Sequence, residues 1–98
     1  MTHPALTKGS VAVVTGGAAG IGLAAATEFA RLGMRLCIVD NRAALLDSAA
    51  DALRGAGAAE VMTSGADVSD LGAVQALEAE VTGRFGGTDI LMNNAGIQ

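Results

Sequence analysis

Tryptophan and tyrosine are absent from this 98-residue sequence, and phenylalanine occurs only twice. Without aromatic side chains for bases to stack on, a single-stranded nucleic-acid platform is not expected. Charge is scarce as well: 16% of residues are charged and the formal net charge is −4, so no basic face is available to neutralise phosphates. The single cysteine, Cys37, precludes an internal disulfide, and nothing calls for an oxidising compartment. The one histidine is His3, beside the amino terminus. Cys37 therefore lacks the partner a catalytic thiol needs and reads as an inert core residue. No metal site is expected. The stretch from Gly9 to Thr27 carries no charge and is long enough on paper for a membrane span. However, Gly9, Gly16, Gly17, Gly20 and Gly22 interrupt it, and Lys8 followed by such a run fits a secretory signal poorly. A cytoplasmic protein with no nucleic-acid or membrane partner is the expectation.

What is present is small apolar mass. Hydrophobic residues make up 51% of the chain, mostly Ala, Val and Leu, which is incompatible with a disordered tail. There is no repeat, low-complexity tract or linker, so residues 1–98 read as one domain. Val11 to Thr15 has no polar alternation and predicts a buried strand. Ile21, Ala25, Phe29 and Leu32 recur at helical spacing, and Gly33 sits where a helix should stop. Leu36 to Val39 predicts a second strand. Leu46, Ala49, Leu53 and Ala56 form a second helix face, closed by Gly55 to Gly57. Glu60 to Ser64 is a weaker third strand. Ser69 can cap a third helix with Leu71, Val74, Leu77, Val81 and Phe85 along one side. Gly86 and Gly87 end it before a fourth strand, Ile90 to Met92. This β-α-β-α-β-α-β order implies a parallel sheet covered by helices. Right-handed crossovers then favour a Rossmann-type, doubly wound α/β arrangement with strand order 3-2-1-4, a partial sheet of four strands with three helices. Its ligand crevice would open at the carboxyl ends of strands one and four.

Chemistry is concentrated at those strand ends. Thr15-Gly16-Gly17-Ala18-Ala19-Gly20-Ile21-Gly22 lies between a predicted strand and a predicted helix. Gly16 permits a tight turn, Gly20 a close approach of backbone to a pyrophosphate, and Gly22 close packing of helix on sheet. A glycine-rich strand-to-helix turn without a ligand is the lesser alternative for the glycines alone. A Walker loop does not, because Leu23 stands where its lysine should be. Asp40 closes the second strand at roughly the ~20-residue distance where dinucleotide sites place an acid for the adenosine ribose. A helix-capping Asp before Arg42 to Leu46 is the lesser alternative. The same carboxylate would repel the 2′-phosphate of NADP. Ala19 offers no countercharge, and Arg42 is the one nearby cation, so NAD is favoured over NADP. Asp67-Val68 could flank an adenine or form a turn before Ser69. Asn93-Asn94-Ala95-Gly96 faces the glycine loop across the crevice, or is a plain turn.

Taken together and in this order, these motifs resemble the short-chain dehydrogenase/reductase family over about Lys8 to Gln98. The Gly-x3-Gly-x-Gly spacing fits its simple, single-domain branch. The resemblance implies an oxidoreductase that moves a hydride between a nicotinamide cofactor and a small alcohol or carbonyl substrate, commonly as a homo-oligomer. It also implies that Gly16, Ala19, Gly20, Ile21 and Gly22 meet the diphosphate and adjoining ribose, and that Asp40 holds the adenosine ribose. Asp67 and Val68 would flank the adenine. Asn94, Ala95 and Gly96 would line the nicotinamide-side ribose while Asn93 steadies the sheet. No catalytic residue is expected within the chain: the family's Tyr, the Lys four residues after it and its Ser follow the fourth strand. Here there is no Tyr, and the only Lys is Lys8. A carbonyl reduced by hydride needs a proton donor that this stretch lacks. The chain is thus expected to be the amino-terminal part of a longer domain. The alternatives are a stand-alone dinucleotide-binding module and a truncated product, without catalysis, that completes its sheet along strand four.

Overall fold

Runs of Val, Ile and Leu without polar alternation give strands buried on both faces, and the glycines between them set where the helices begin and end. A computed structural model describes residues 7–94. It contains β1 (Val11–Thr15), α1 (Gly20–Arg31), β2 (Arg35–Val39), α2 (Ala43–Ala56), β3 (Glu60–Ser64), α3 (Leu71–Phe85) and β4 (Ile90–Asn93). All strand pairs are parallel and the sheet order is β3-β2-β1-β4, the doubly wound half-fold expected from the sequence.

Alternate residues of each strand feed two cores. Ala12, Val14, Leu36, Ile38 and Val61 pack against Ala26 and Ala30 of α1 and Leu46, Ala49, Ala50 and Leu53 of α2. Val11, Val13, Cys37, Val39 and Met62 pack instead against Leu77, Val81 and Phe85 of α3. Small residues let α1 lie close to the sheet, and full burial of Leu53 alone contributes roughly 1.5–3 kcal/mol. On the α3 side, coverage stops before β4. Leu91 is exposed there, beside a groove of about 630 Å³ lined by Val13, Leu77, Val81 and Leu91 among others.

Three local expectations are corrected. The buried stripe of α1 is Gly22, Ala26 and Ala30 rather than one running through Ile21 and Leu32, and Ile21 is 63% exposed. The large apolar residues drew the periodicity toward the wrong face, because the inner face admits only small ones. The cap of α3 is Asp70, whose carboxylate accepts from the Gly72 and Ala73 N–H groups, while Ser69 donates to Asp67 instead. Leu71, at the first turn of α3, is exposed. Among the described residues no helix is long and apolar enough to cross a membrane, and no His, Cys, Asp and Glu group could hold a metal.

Two contacts fix the relative heights of the elements. Asp89 grips the first residue of β1: its carboxylate accepts from Val11 N–H at 2.8 Å, and its own N–H donates to the Val11 carbonyl at 2.9 Å. At the other end of the strand, Gly22 lies so close to the sheet that a methyl group would strike the Gly16 carbonyl and come 2.8 Å from Asn94 Nδ2. Gly22→Ala should therefore destabilise the chain by about 1–3 kcal/mol in urea unfolding. Gly55→Ala, in open space on α2, should instead be neutral or stabilising by about 0.5–1 kcal/mol. Equal effects at both positions would contradict the packing account. Cys37 is fully buried, and burial, with Glu80 adding, pushes its thiol up to about 11. A thiol reagent at pH 8 should modify it only as fast as the chain unfolds.

Candidate functional site

The chain leaves β1 at Thr15 and enters α1 at Gly20, reversing over a few residues beside the end of β2. Gly16 makes the turn with φ +66° and Gly20 starts the helix with φ +57°, both left-handed values that suit glycine. The loop is tied to β2 by the N–H groups of Gly16 and Gly17, which donate to the Val39 carbonyl at 2.7 and 3.3 Å. Gly17, given no separate role from the sequence, is needed for space. A side chain there would meet Ile38 Cγ2 at 2.7 Å and the Val14 carbonyl at 2.9 Å. The doubled glycine was the available signal.

No side chain caps the start of α1, and no acid stands in its first turn. Its amino end instead borders a cavity of about 640 Å³ at the carboxyl ends of the strands. A helix start with unclaimed N–H groups and a positive dipole end suits an anion. Gly16, Ala19, Gly20 and Ile21 line the cavity from the loop, Asp40 from the end of β2, Asp67 and Val68 from the end of β3, and Asn94 from the end of β4. Eight residues singled out in the sequence thus meet around one space. Gly22 is not among its lining residues and acts in the helix-to-sheet contact. Ala95 and Gly96 lie outside the described residues. Val39, Asn41, Arg42, Ala66 and Ser69 complete the lining. Of these, the sequence had offered only Arg42, as a nearby cation. Their shared signal is position, directly at or after a strand end.

Asp40 is 5% exposed and accepts four hydrogen bonds. Oδ1 accepts from Arg42 N–H at 3.0 Å and from Arg42 Nε at 2.8 Å. Oδ2 accepts from Ala18 N–H at 3.2 Å and from Arg42 Nη2 at 2.7 Å. The Arg42 guanidinium holds the carboxyl down at about 2, below the usual 3.8, so it is ionised at neutral pH. Asp67 is likewise held below the ordinary carboxylate range by the hydroxyl and N–H of Ser69.

Across the crevice, Thr15 Oγ1 donates to Asn93 Oδ1 at 3.0 Å and accepts from Asn94 N–H at 2.8 Å, joining β1 to β4. Asn94 Nδ2 donates to the Gly16 carbonyl at 3.3 Å. Asn94 is 9% exposed, and its Oδ1 is the one buried side-chain polar atom without a partner among the described residues. A buried acceptor of this kind calls for an outside donor. No Tyr, Lys, His or Cys is among the residues that line the cavity. The carboxylates, the amide and the backbone N–H groups of these residues can bind and orient a ligand.

Residues 10–98 match the family of short chain dehydrogenases. A short chain dehydrogenase/reductase of Macrophomina phaseolina is 39% identical over 89 residues, covering 91% of this chain and 51% of that protein. Levodione reductase of Leifsonia aquatica is 44% identical over 96 residues, covering 90% of this chain and 33% of the reductase. The structure of L-sorbose reductase from Gluconobacter frateurii, complexed with NADPH and L-sorbose, has a TM-score of 0.86 at 40% identity, covering 92% of this chain and 34% of that one. A short chain dehydrogenase/reductase of Burkholderia phymatum in complex with NAD has a TM-score of 0.76 at 39% identity, covering 86% of this chain and 30% of that one. The chain thus spans half the length of the Macrophomina phaseolina relative and about a third of the others. With the motifs, the sheet order and the strand-end cavity all in agreement with this match, the chain belongs to the short chain dehydrogenase family.

Proposed function

We propose that residues 1–98 form the cofactor-binding part of an oxidoreductase that transfers hydride between a nicotinamide dinucleotide and a small alcohol or carbonyl substrate. The observation that carries this reading is the strand-end cavity, which brings together an uncapped helix start, a buried ionised acid and an acceptor that is buried without a partner among the described residues. These features suit the parts of a dinucleotide. Ala19, Gly20 and Ile21 would hold the diphosphate on backbone N–H groups, while Gly16, whose N–H is bound to Val39, would make the turn that brings them to it. Gly22 would serve that contact indirectly, by letting the helix approach. Asp40 would receive the adenosine ribose, and Asp67 and Val68 would border the adenine. Asn94 Oδ1 would accept from the second ribose, with Ala95 and Gly96 beside it. The bound nicotinamide supplies the hydride chemistry.

NAD is proposed as the preferred form, because an ionised carboxylate at the ribose repels a 2′-phosphate. Relatives of both kinds, one complexed with NADPH and one with NAD, support the cofactor class more broadly. A buried free thiol accords with a cytoplasmic setting, and a homo-oligomeric whole enzyme is proposed with the family.

The test is a titration of the chain with NADH and NADPH, followed by nicotinamide fluorescence. Saturable binding with NADH the tighter ligand is expected. Asp40→Ala should weaken NADH by about ten-fold or more, since each hydrogen bond to a charged group contributes roughly 1.5–3 kcal/mol. The NADH-to-NADPH ratio should narrow in the same variant. An unchanged ratio would remove the case for NAD, and the absence of saturable binding by either nucleotide would remove the cofactor reading itself.

A further inference from the structure

The Asp40 carboxylate has no acceptor position left for a ribose. An ionised carboxylate offers about four lone-pair sites, and all four are taken by the donors of Ala18 and Arg42. Two of those donors are backbone N–H groups, which hold the glycine loop and the start of α2 in place. The other two are Nε and Nη2 of a guanidinium whose side chain is 53% exposed and lines the cavity. A vicinal diol presents two O–H donors, the same number as the guanidinium fork.

We infer that Arg42 is a displaceable occupant of the adenosine-ribose position: NAD binds by replacing its guanidinium on Asp40, and NADP binds by drawing the guanidinium onto its 2′-phosphate. This rests on the dinucleotide reading above and adds a residue that sets cofactor specificity. The exchange is geometrically even, since two donors leave Oδ1 and Oδ2 and two arrive. Arg42 remains close once displaced, because its own N–H stays on Asp40 Oδ1. A phosphate in place of the 2′-hydroxyl would meet the planar donor fork that suits it. Asp40 therefore sets the direction of cofactor preference, and Arg42 limits its size in both directions. It competes with NAD and compensates for NADP.

The experiment measures dissociation constants of NADH and NADPH for the wild-type chain, Arg42→Ala and Arg42→Lys. Arg42→Ala should tighten NADH, by about three-fold given what an exposed ion pair contributes, and weaken NADPH by about ten-fold or more. Arg42→Lys keeps the charge without the fork, so its NADPH affinity should fall between wild type and Arg42→Ala while NADH still tightens. Opposite shifts for the two nucleotides in Arg42→Ala support the exchange. A parallel loss of both, as from a purely structural role, overturns it, as does no change in either. If the wild-type chain binds neither nucleotide, the dinucleotide reading fails first and the exchange falls with it.

Discussion

The distance between the start of α1 and the end of β1 governs the carboxyl end of this sheet. Gly22 permits an approach at which a single methyl group would collide with the Gly16 carbonyl and crowd the Asn94 amide. That approach brings three elements together at one point: the glycine loop, the first helix and the end of β4. Asn94 can bridge to Gly16 only because the helix does not hold it off. The uncapped helix start, in turn, faces the cavity only because the loop before it is pinned on Val39 by two N–H groups. Close packing and the shape of the crevice are thus consequences of the same missing side chain.

Asp40 plays the matching part on the other side of the loop. Its buried carboxylate binds the N–H groups of Ala18 before α1 and Arg42 before α2, so it cross-links two connections that are distant in sequence. A buried charge is tolerated when it is paired and hydrogen-bonded, and here both conditions are met by groups that also shape the site. These hydrogen bonds hold the glycine loop and the start of α2 in fixed relation to the end of β2.

Strands were the most legible elements because Val-Ala-Val-Val and Leu-Cys-Ile-Val carry no polar residue that could place one face in water. The sheet order followed from right-handed crossovers once strands two and three were laid on one side of strand one and strand four on the other. The site was legible for a related reason: glycines, acids and asparagines at strand ends are conspicuous against an Ala- and Val-rich background. Helix faces were harder to read. Ile21 and Leu71 have the right spacing for a core, yet both are exposed, since α1 presses its small residues inward and α3 begins beyond the covered part of the sheet. The cap of α3 was misplaced by one residue because Ser69 and Asp70 are both competent caps, and Asp67 claims the serine. The saturation of Asp40 was not legible, because it depends on the direction of an arginine side chain rather than on its presence.

Asp89 has a consequence for how this fold can vary. By clamping both the N–H and the carbonyl of Val11, it sets the register of β4 from the strand's beginning, and so the level at which Asn94 meets Gly16. A slip of one residue would turn Leu91 inward and carry the asparagine away from the crevice. The turn at Gly86, Gly87 and Thr88 lies upstream of that clamp. Residues gained there would bulge into solvent without reaching the site, which makes this turn the natural place for related chains to be longer while the asparagine keeps its address.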